Sequence, residues 1–397
     1  MSLARTTTRT TVALTGVAGL LALAACSSSG GGTGTATSSA AGGPIAVKAT
    51  DSECGVSVAS ASAGTITFQV QNTGSKVTEF YVYGAGDRIV GEVENITPGL
   101  SRELKVEITE PGTFTTACKP GMVGDGIRAA FTVTGTAQPG SADQKVAKAI
   151  TDYQAYVAEQ STELLTGTEA FVAAVKAGDV AKAKALYTPA RVPWERIEPV
   201  AESFGDLDPK IDGREDVVEE GLAFTGYHRL EKDLWVDGLK PDSAQIADQL
   251  LADVKTIVEK AAAVDFTALS IANGAKELLD EVATTKITGE EERYSHTDLA
   301  DMKANLQGSQ AALEVLRPVI AERQPDLATA LDQAFTTINQ SLDRHKNGAD
   351  YALLTDVSAD DVKTLTVNLD ALAEQVAKVP AAVEAGAAPT SGGTSTP

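Results

Sequence analysis

Histidine is nearly missing from this chain: there are three in 397 residues, at positions 228, 296 and 345, and none earlier. No two of them stand at the spacing of a His-Glu-x-x-His pair, so the common zinc-protease arrangement is excluded. Basic residues are also short, 33 Lys and Arg against 54 Asp and Glu, for a formal charge of -21. A polyanion needs a basic face to bind to, and the shortage excludes nucleic acid as a partner. Only three cysteines are present, with no Cys-x-x-Cys-His among them, which removes covalent haem attachment. Past residue 25 no apolar run approaches the ~20 residues that span a bilayer. No short fixed repeat runs along the chain, against a solenoid, and no heptad stripe calls for a coiled coil.

What is present begins with a leader. Arg5 and Arg9 precede a mostly apolar stretch, Val12 to Leu23, and small residues lead directly into Cys26, the pattern of a secretory signal over residues 1–25. Leu23-Ala24-Ala25-Cys26 resembles the lipobox of bacterial lipoproteins, which implies lipidation of Cys26 and anchoring of the exported protein to the outer face of the cytoplasmic membrane. A transmembrane anchor with an idle cysteine is the competing reading, but the apolar stretch is too short for it. Residues 26–43 are almost entirely Ser, Gly, Thr and Ala, with nothing to bury, and read as a flexible tether; residues 385–397 read as a disordered tail. Losing the leader removes Arg5 and Arg9, so 31 basic residues face 54 acidic ones and the mature charge becomes -23. Such a surface favours cations, although most of the carboxylates serve only as solvated helix faces.

Two grammars follow. Over residues 44–136 apolar and polar residues alternate in Ile45–Val47, Thr65–Val70, Glu79–Tyr83, Arg102–Ile108 and Phe131–Val133, punctuated by turns at Asn72-Thr73-Gly74, Thr97-Pro98-Gly99 and Glu110-Pro111-Gly112. That is the signature of a β-sandwich. Residues 144–384 instead space apolar side chains by three and four, as in Val146, Ile150, Tyr153 and in Leu250, Val254, Ile257, Val258. Pro241-Asp242-Ser243 and Gln324-Pro325-Asp326 mark helix starts. The expectation is an all-α bundle of six to eight helices.

Chemistry concentrates in the helical part. In Gly226-Tyr227-His228-Arg229-Leu230-Glu231, His228 and Glu231 stand three apart and share one helix face, so an imidazole nitrogen and a carboxylate oxygen can meet one cation; a surface hydrogen bond is the plainer alternative. Glu195 and Glu198 repeat the spacing, and two carboxylates on one buried face repel unless a cation offsets them. An exposed acidic face explains the pair as well. Phe204-Gly205-Asp206-Leu207-Asp208-Pro209-Lys210-Ile211-Asp212 follows, and Tyr294-Ser295-His296-Thr297-Asp298 offers a third segment, in which Thr297 or Asp298 could be no more than a helix N-cap.

Together these separated motifs resemble the imelysin, or HxxE peptidase-like, domain of EfeO-type proteins, in which a cupredoxin-related sandwich precedes the helices. The resemblance covers almost all of residues 44–384. It implies an iron-binding component of an EfeUOB-like uptake system, with a membrane iron permease and a secreted haem peroxidase as partners, and a cation site at Glu195, Glu198, Asp212, His228 and Glu231, with Asp298 in addition. Mixed carboxylate and imidazole donors suit iron or zinc; the resemblance selects iron. A sandwich without histidine excludes a blue-copper centre. Cys54 and Cys118 either pair as a disulfide, which an oxidising compartment favours, or act as soft ligands with Met122 and Glu79 for copper or iron. Glu92 and Glu94 form either a hard-cation patch or a solvated strand face. Besides iron capture, a metallopeptidase using His228 and Glu231 and a metal-free adhesion lipoprotein are carried as alternatives. The first lacks a third ligand and separate base, and the second leaves the carboxylates unexplained.

Overall fold

A computed structural model describes residues 43–137, 144–218, 221–284, 286–348 and 350–384. The leader, Cys26 and the tail lie outside the described residues.

Nine strands build the first part: β1 Ile45–Ala49, β2 Cys54–Val56, β3 Ser60–Ser62, β4 Gly64–Asn72, β5 Thr78–Tyr83, β6 Ile89–Ile96, β7 Ser101–Ile108, β8 Gly112–Pro120 and β9 Ile127–Thr134. They form two sheets, ordered β2-β1-β4-β7 and β3-β9-β8-β5-β6. β1 runs parallel to β4 and β3 parallel to β9, and the remaining pairs are antiparallel. Alternation along β4 sends Ile66, Phe68 and Val70 inward, where Phe68 meets Phe80 and Phe131 of the facing sheet at ring separations of 5.3 and 5.4 Å. Cys54 on β2 and Cys118 on β8 are joined by a disulfide, Cα to Cα 5.5 Å, which ties one sheet to the other.

β5 departs from the expected half-burial, because all six of its residues are buried. Phe80 and Val82 enter the core, while Tyr81 and Tyr83 stack on the opposite face at 5.3 Å, beneath Lys119 and Arg128. The neighbouring strand β6 lies against the helical part, at the 202–207 turn and at the helix Ala268–Thr284.

The helices are α1 Gln144–Lys176, α2 Val180–Ala201, α3 Asp208–Ile211, α4 Gly226–Lys232, α5 Ser243–Ala261, α6 Ala268–Thr284, α7 Asp298–Arg323, α8 Pro325–Asp343, α9 Ala359–Val376 and α10 Val379–Glu384. Seven of these are long and three are single turns or little more, so the described chain is a sandwich followed by a helical bundle, as expected. α1 is the central packing surface: Val146, Ala149, Tyr153, Val157, Leu164, Phe171 and Val175 run down one face against α2, α5 and α7. The two parts are also pinned directly. Lys105 of β7 pairs with Glu384 of α10 at 2.7 Å, and Asn273 of α6 donates to the Lys105 carbonyl at 3.0 Å.

Candidate metal centre

α2 contains Pro189, Pro193 and Pro199. A proline in a helix supplies no N–H to the carbonyl four residues back. Pro199 thus frees the Glu195 carbonyl, and Asn305 of α7 donates to it at 3.0 Å. The same amide reaches Glu195 Oε2 at 3.0 Å and Glu198 Oε2 at 2.7 Å, so the break in the helix is what docks α2 to α7 at this point.

Asp212 and His228 are brought together by a second local device. Gly226 opens α4 with φ +75°, and a Cβ there would lie 2.1 Å from the Ile211 carbonyl oxygen. Only glycine allows that approach, which sets the residue after Ile211 beside the imidazole two residues on. Gly226→Ala should lower stability by about 2 to 3 kcal/mol from left-handed strain and overlap. It should also weaken metal binding; thermal melts and a metal titration check both effects.

His228 is the hub. Its Nδ1 lies 3.1 Å from Glu231 Oε2 and 3.4 Å from the Tyr187 hydroxyl, and its Nε2 lies 3.5 Å from Asp212 and 3.4 Å from Glu291. Glu231 Oε1 accepts from the backbone N–H groups of Tyr294 and Ser295, at 2.9 and 2.7 Å. Two sets of donors therefore converge, Asp212-His228-Glu291 and His228-Glu231-Glu292, with the atoms of each set within 4.8 Å of one another. All five side chains are buried. Burial and the Arg191 charge pull the His228 pKa down, but Asp212, Glu231 and Glu291 outweigh them and raise it from 6.5 to about 10. Burial, with Glu231 adding to it, pushes Glu292 up to about 7. Burial also raises Glu291, but Lys286 and His228 overcome this and hold it well below the usual carboxylate range.

Two buried cations of the chain itself complete the cluster. Arg191 pairs with Asp212 and Glu195, with Glu292 at 2.9 Å and with Asp301 at 3.3 Å. Lys286 lies 3.2 Å from Glu195 and 2.5 Å from Glu198. Burial raises the Glu198 carboxyl well above its ordinary value, with Lys286 opposing and Glu195 reinforcing the shift.

The sequence-derived candidates divide accordingly. Asp212, His228 and Glu231 meet. Glu195 and Glu198 are buried beside them, but the cations that offset their repulsion are Arg191 and Lys286. Asp298 begins α7 and accepts from the Glu292 N–H at 3.1 Å, so it holds the loop that carries Glu291 and Glu292. Those two glutamates were not anticipated, since three successive acids in Glu290-Glu291-Glu292 resemble a solvated turn. Arg191 carried a signal, its i,i+4 spacing to Glu195.

In the sandwich the soft-ligand reading is corrected. The disulfide leaves neither Cys54 nor Cys118 a thiolate, and Cys118 pairs in register with Phe80, so the two point into the core while Glu79 points to the opposite face. Met122 sits half-exposed in the turn after β8. Glu79 accepts instead from the Tyr81 hydroxyl at 3.0 Å, and Tyr81 also reaches Glu94 at 3.4 Å.

The order of parts and the site chemistry define a cupredoxin-like domain joined to an imelysin domain: residues 16–133 match the family model for the former and residues 149–379 that for the latter. The chain belongs to the EfeO family. It is 38% identical over 342 residues to the iron uptake system component EfeO of Escherichia coli O157:H7, covering 84% of this chain and 90% of that protein. The protein of the same description from Escherichia coli K12 is 37% identical over 342 residues, with the same coverage.

Proposed function

We propose that the protein is the extracytoplasmic iron-capturing component of an EfeUOB-like uptake system, lipid-anchored through Cys26, which takes up iron at His228 and passes it to a membrane permease, with a secreted haem peroxidase as a further partner. The observation that carries this is the buried His228 Nε2, which has no hydrogen-bond partner and faces the carboxylates of Asp212 and Glu291. One imidazole nitrogen with two carboxylates is a donor set suited to iron. Glu231 then acts on the other nitrogen: fixed by two backbone N–H groups, it accepts from Nδ1–H, sets the tautomer and turns Nε2 toward the ion. No described helix is long and apolar enough to cross a membrane, so attachment in this reading rests on the lipid. The name of the peptidase family does not by itself transfer a reaction, and the burial of every side chain of the cluster favours a small ion over a polypeptide as its occupant.

The test is a titration of the chain lacking its leader and Cys26, with Fe(II) under anaerobic conditions. Micromolar or tighter binding is expected, and absence of binding refutes the reading. Since the imidazole holds a proton up to about pH 10 in the metal-free protein, an incoming ion must displace it. Affinity should therefore rise with pH by about tenfold per unit for one proton released, measurable as a buffer-dependent heat of binding. Hydrolysis of unfolded peptides, lost with His228→Ala, would favour a metallopeptidase instead.

A further inference from the structure

Lys286 is a singular feature of the cluster. It lies on the short turn Lys286–Thr288 between α6 and the loop that carries Glu291 and Glu292. Its ammonium is buried and is faced by three carboxylates, Glu198 at 2.5 Å, Glu195 at 3.2 Å and Glu291 at 3.8 Å. Several carboxylates from separate elements converging on one positive charge is also what a hard metal cation requires. Glu291 belongs at the same time to the set around His228 Nε2, so the ammonium and an ion at His228 draw on one carboxylate.

We propose that Lys286 is a tethered placeholder, whose ammonium stands among Glu195, Glu198 and Glu291 in the metal-free protein and withdraws when a metal cation enters. The proposal rests on the iron-capture reading above. Lysine suits the part: its charge rides on a flexible four-carbon stem, whereas the planar guanidinium of Arg191 is fixed by carboxylates on several sides. Two further carboxylates feel the Lys286 charge, Glu281 on α6 and Asp208 on α3, and in this proposal they would receive the retracting ammonium. With the His228 proton also displaced, a divalent ion then enters with no net change in the charge of the inner cluster, whereas an ammonium that stayed would leave one extra positive charge there. The returning ammonium assists release, which suits a carrier that must give up its cargo.

Lys286→Met keeps the length of the side chain and removes the charge. Fe(II) under anaerobic conditions, and Zn(II) as a redox-inert probe, should bind this variant about tenfold more tightly, because the competent state no longer has to displace the lysine. The metal-free melting temperature should fall while the rise on adding metal exceeds that of the wild type. Glu281→Gln should weaken binding in the wild-type background and have no effect beside Lys286→Met. Unchanged or weaker binding by Lys286→Met overturns the proposal, and so does tighter binding when Glu281→Gln is silent in the wild-type background, since an ammonium that stays in place would repel the ion without any retreat. If the metal-free variant does not fold, it is refolded with Zn(II) and loss of the metal to a chelator is timed: slower release than wild type supports the placeholder, and equal or faster release overturns it. Failure of the wild-type protein to bind either metal removes the iron reading itself, a result distinct from failure of the variant alone.

Discussion

His228→Ala is expected to lower iron affinity by about a hundredfold or more, since even the groups that only orient a ligating histidine are worth ~10- to 100-fold. Asp212, Glu231 and Glu291 all converge on this imidazole, and no other histidine belongs to either set of converging donors. The same substitution should have a stability signature with a definite sign. The imidazole's pKa is raised by folding from 6.5 to about 10. Its contribution to stability is therefore fully present below pH 6.5 and disappears as the pH climbs through 10. The gap in melting temperature between metal-free wild type and His228→Ala should accordingly be widest at pH 6 and narrow toward pH 10. A variant that binds Fe(II) as well as the wild type would move the metal centre elsewhere.

The second large effect is expected in the sandwich. Replacing Cys54 and Cys118 by serine opens a crosslink between residues 64 apart in sequence, and loop-closure entropy alone puts the loss at about 4 kcal/mol. Chemical denaturation followed by a probe of the sandwich should show the transition moved to markedly lower denaturant, with a separate helical transition little changed, because two domains need not unfold as one. Iron affinity at His228 should stay within about twofold, as sites this independent usually add. Loss of a bound metal along with the cysteines would instead restore them as ligands.

The sequence made the order of sandwich and bundle legible because period two and period 3.6 are both enforced by burial of one face. The strand signal understated β5, whose second face is covered by its own tyrosines and their cationic neighbours, a contact with no local signature. α7 illustrates the opposite failure. Asp298, Asp301, Asn305 and Ser309 lie on its buried side at spacings of three and four, so the face that enters the site is polar and the apolar pattern is blurred. At the site, Asp212, His228 and Glu231 were recoverable from motif and resemblance. Glu291, Glu292 and Lys286 were not, because an irregular segment has no periodicity to say which of its charges turn inward. The buried cations matter most here: an acid-rich surface and an acid-rich interior look alike in one dimension, and only the position of Arg191 and Lys286 separates them.

The salt bridge between Lys105 and Glu384 has a mechanical consequence. α10 rests on α6 and α7, and Arg323 near the end of α7 donates to the Val383 carbonyl of α10. The sandwich thus grips the last described helix, α10, which in turn rests on the helix bearing Asp301 and Asn305. The two parts are therefore held at this corner by a direct contact between folded segments, and not by the connecting segment alone.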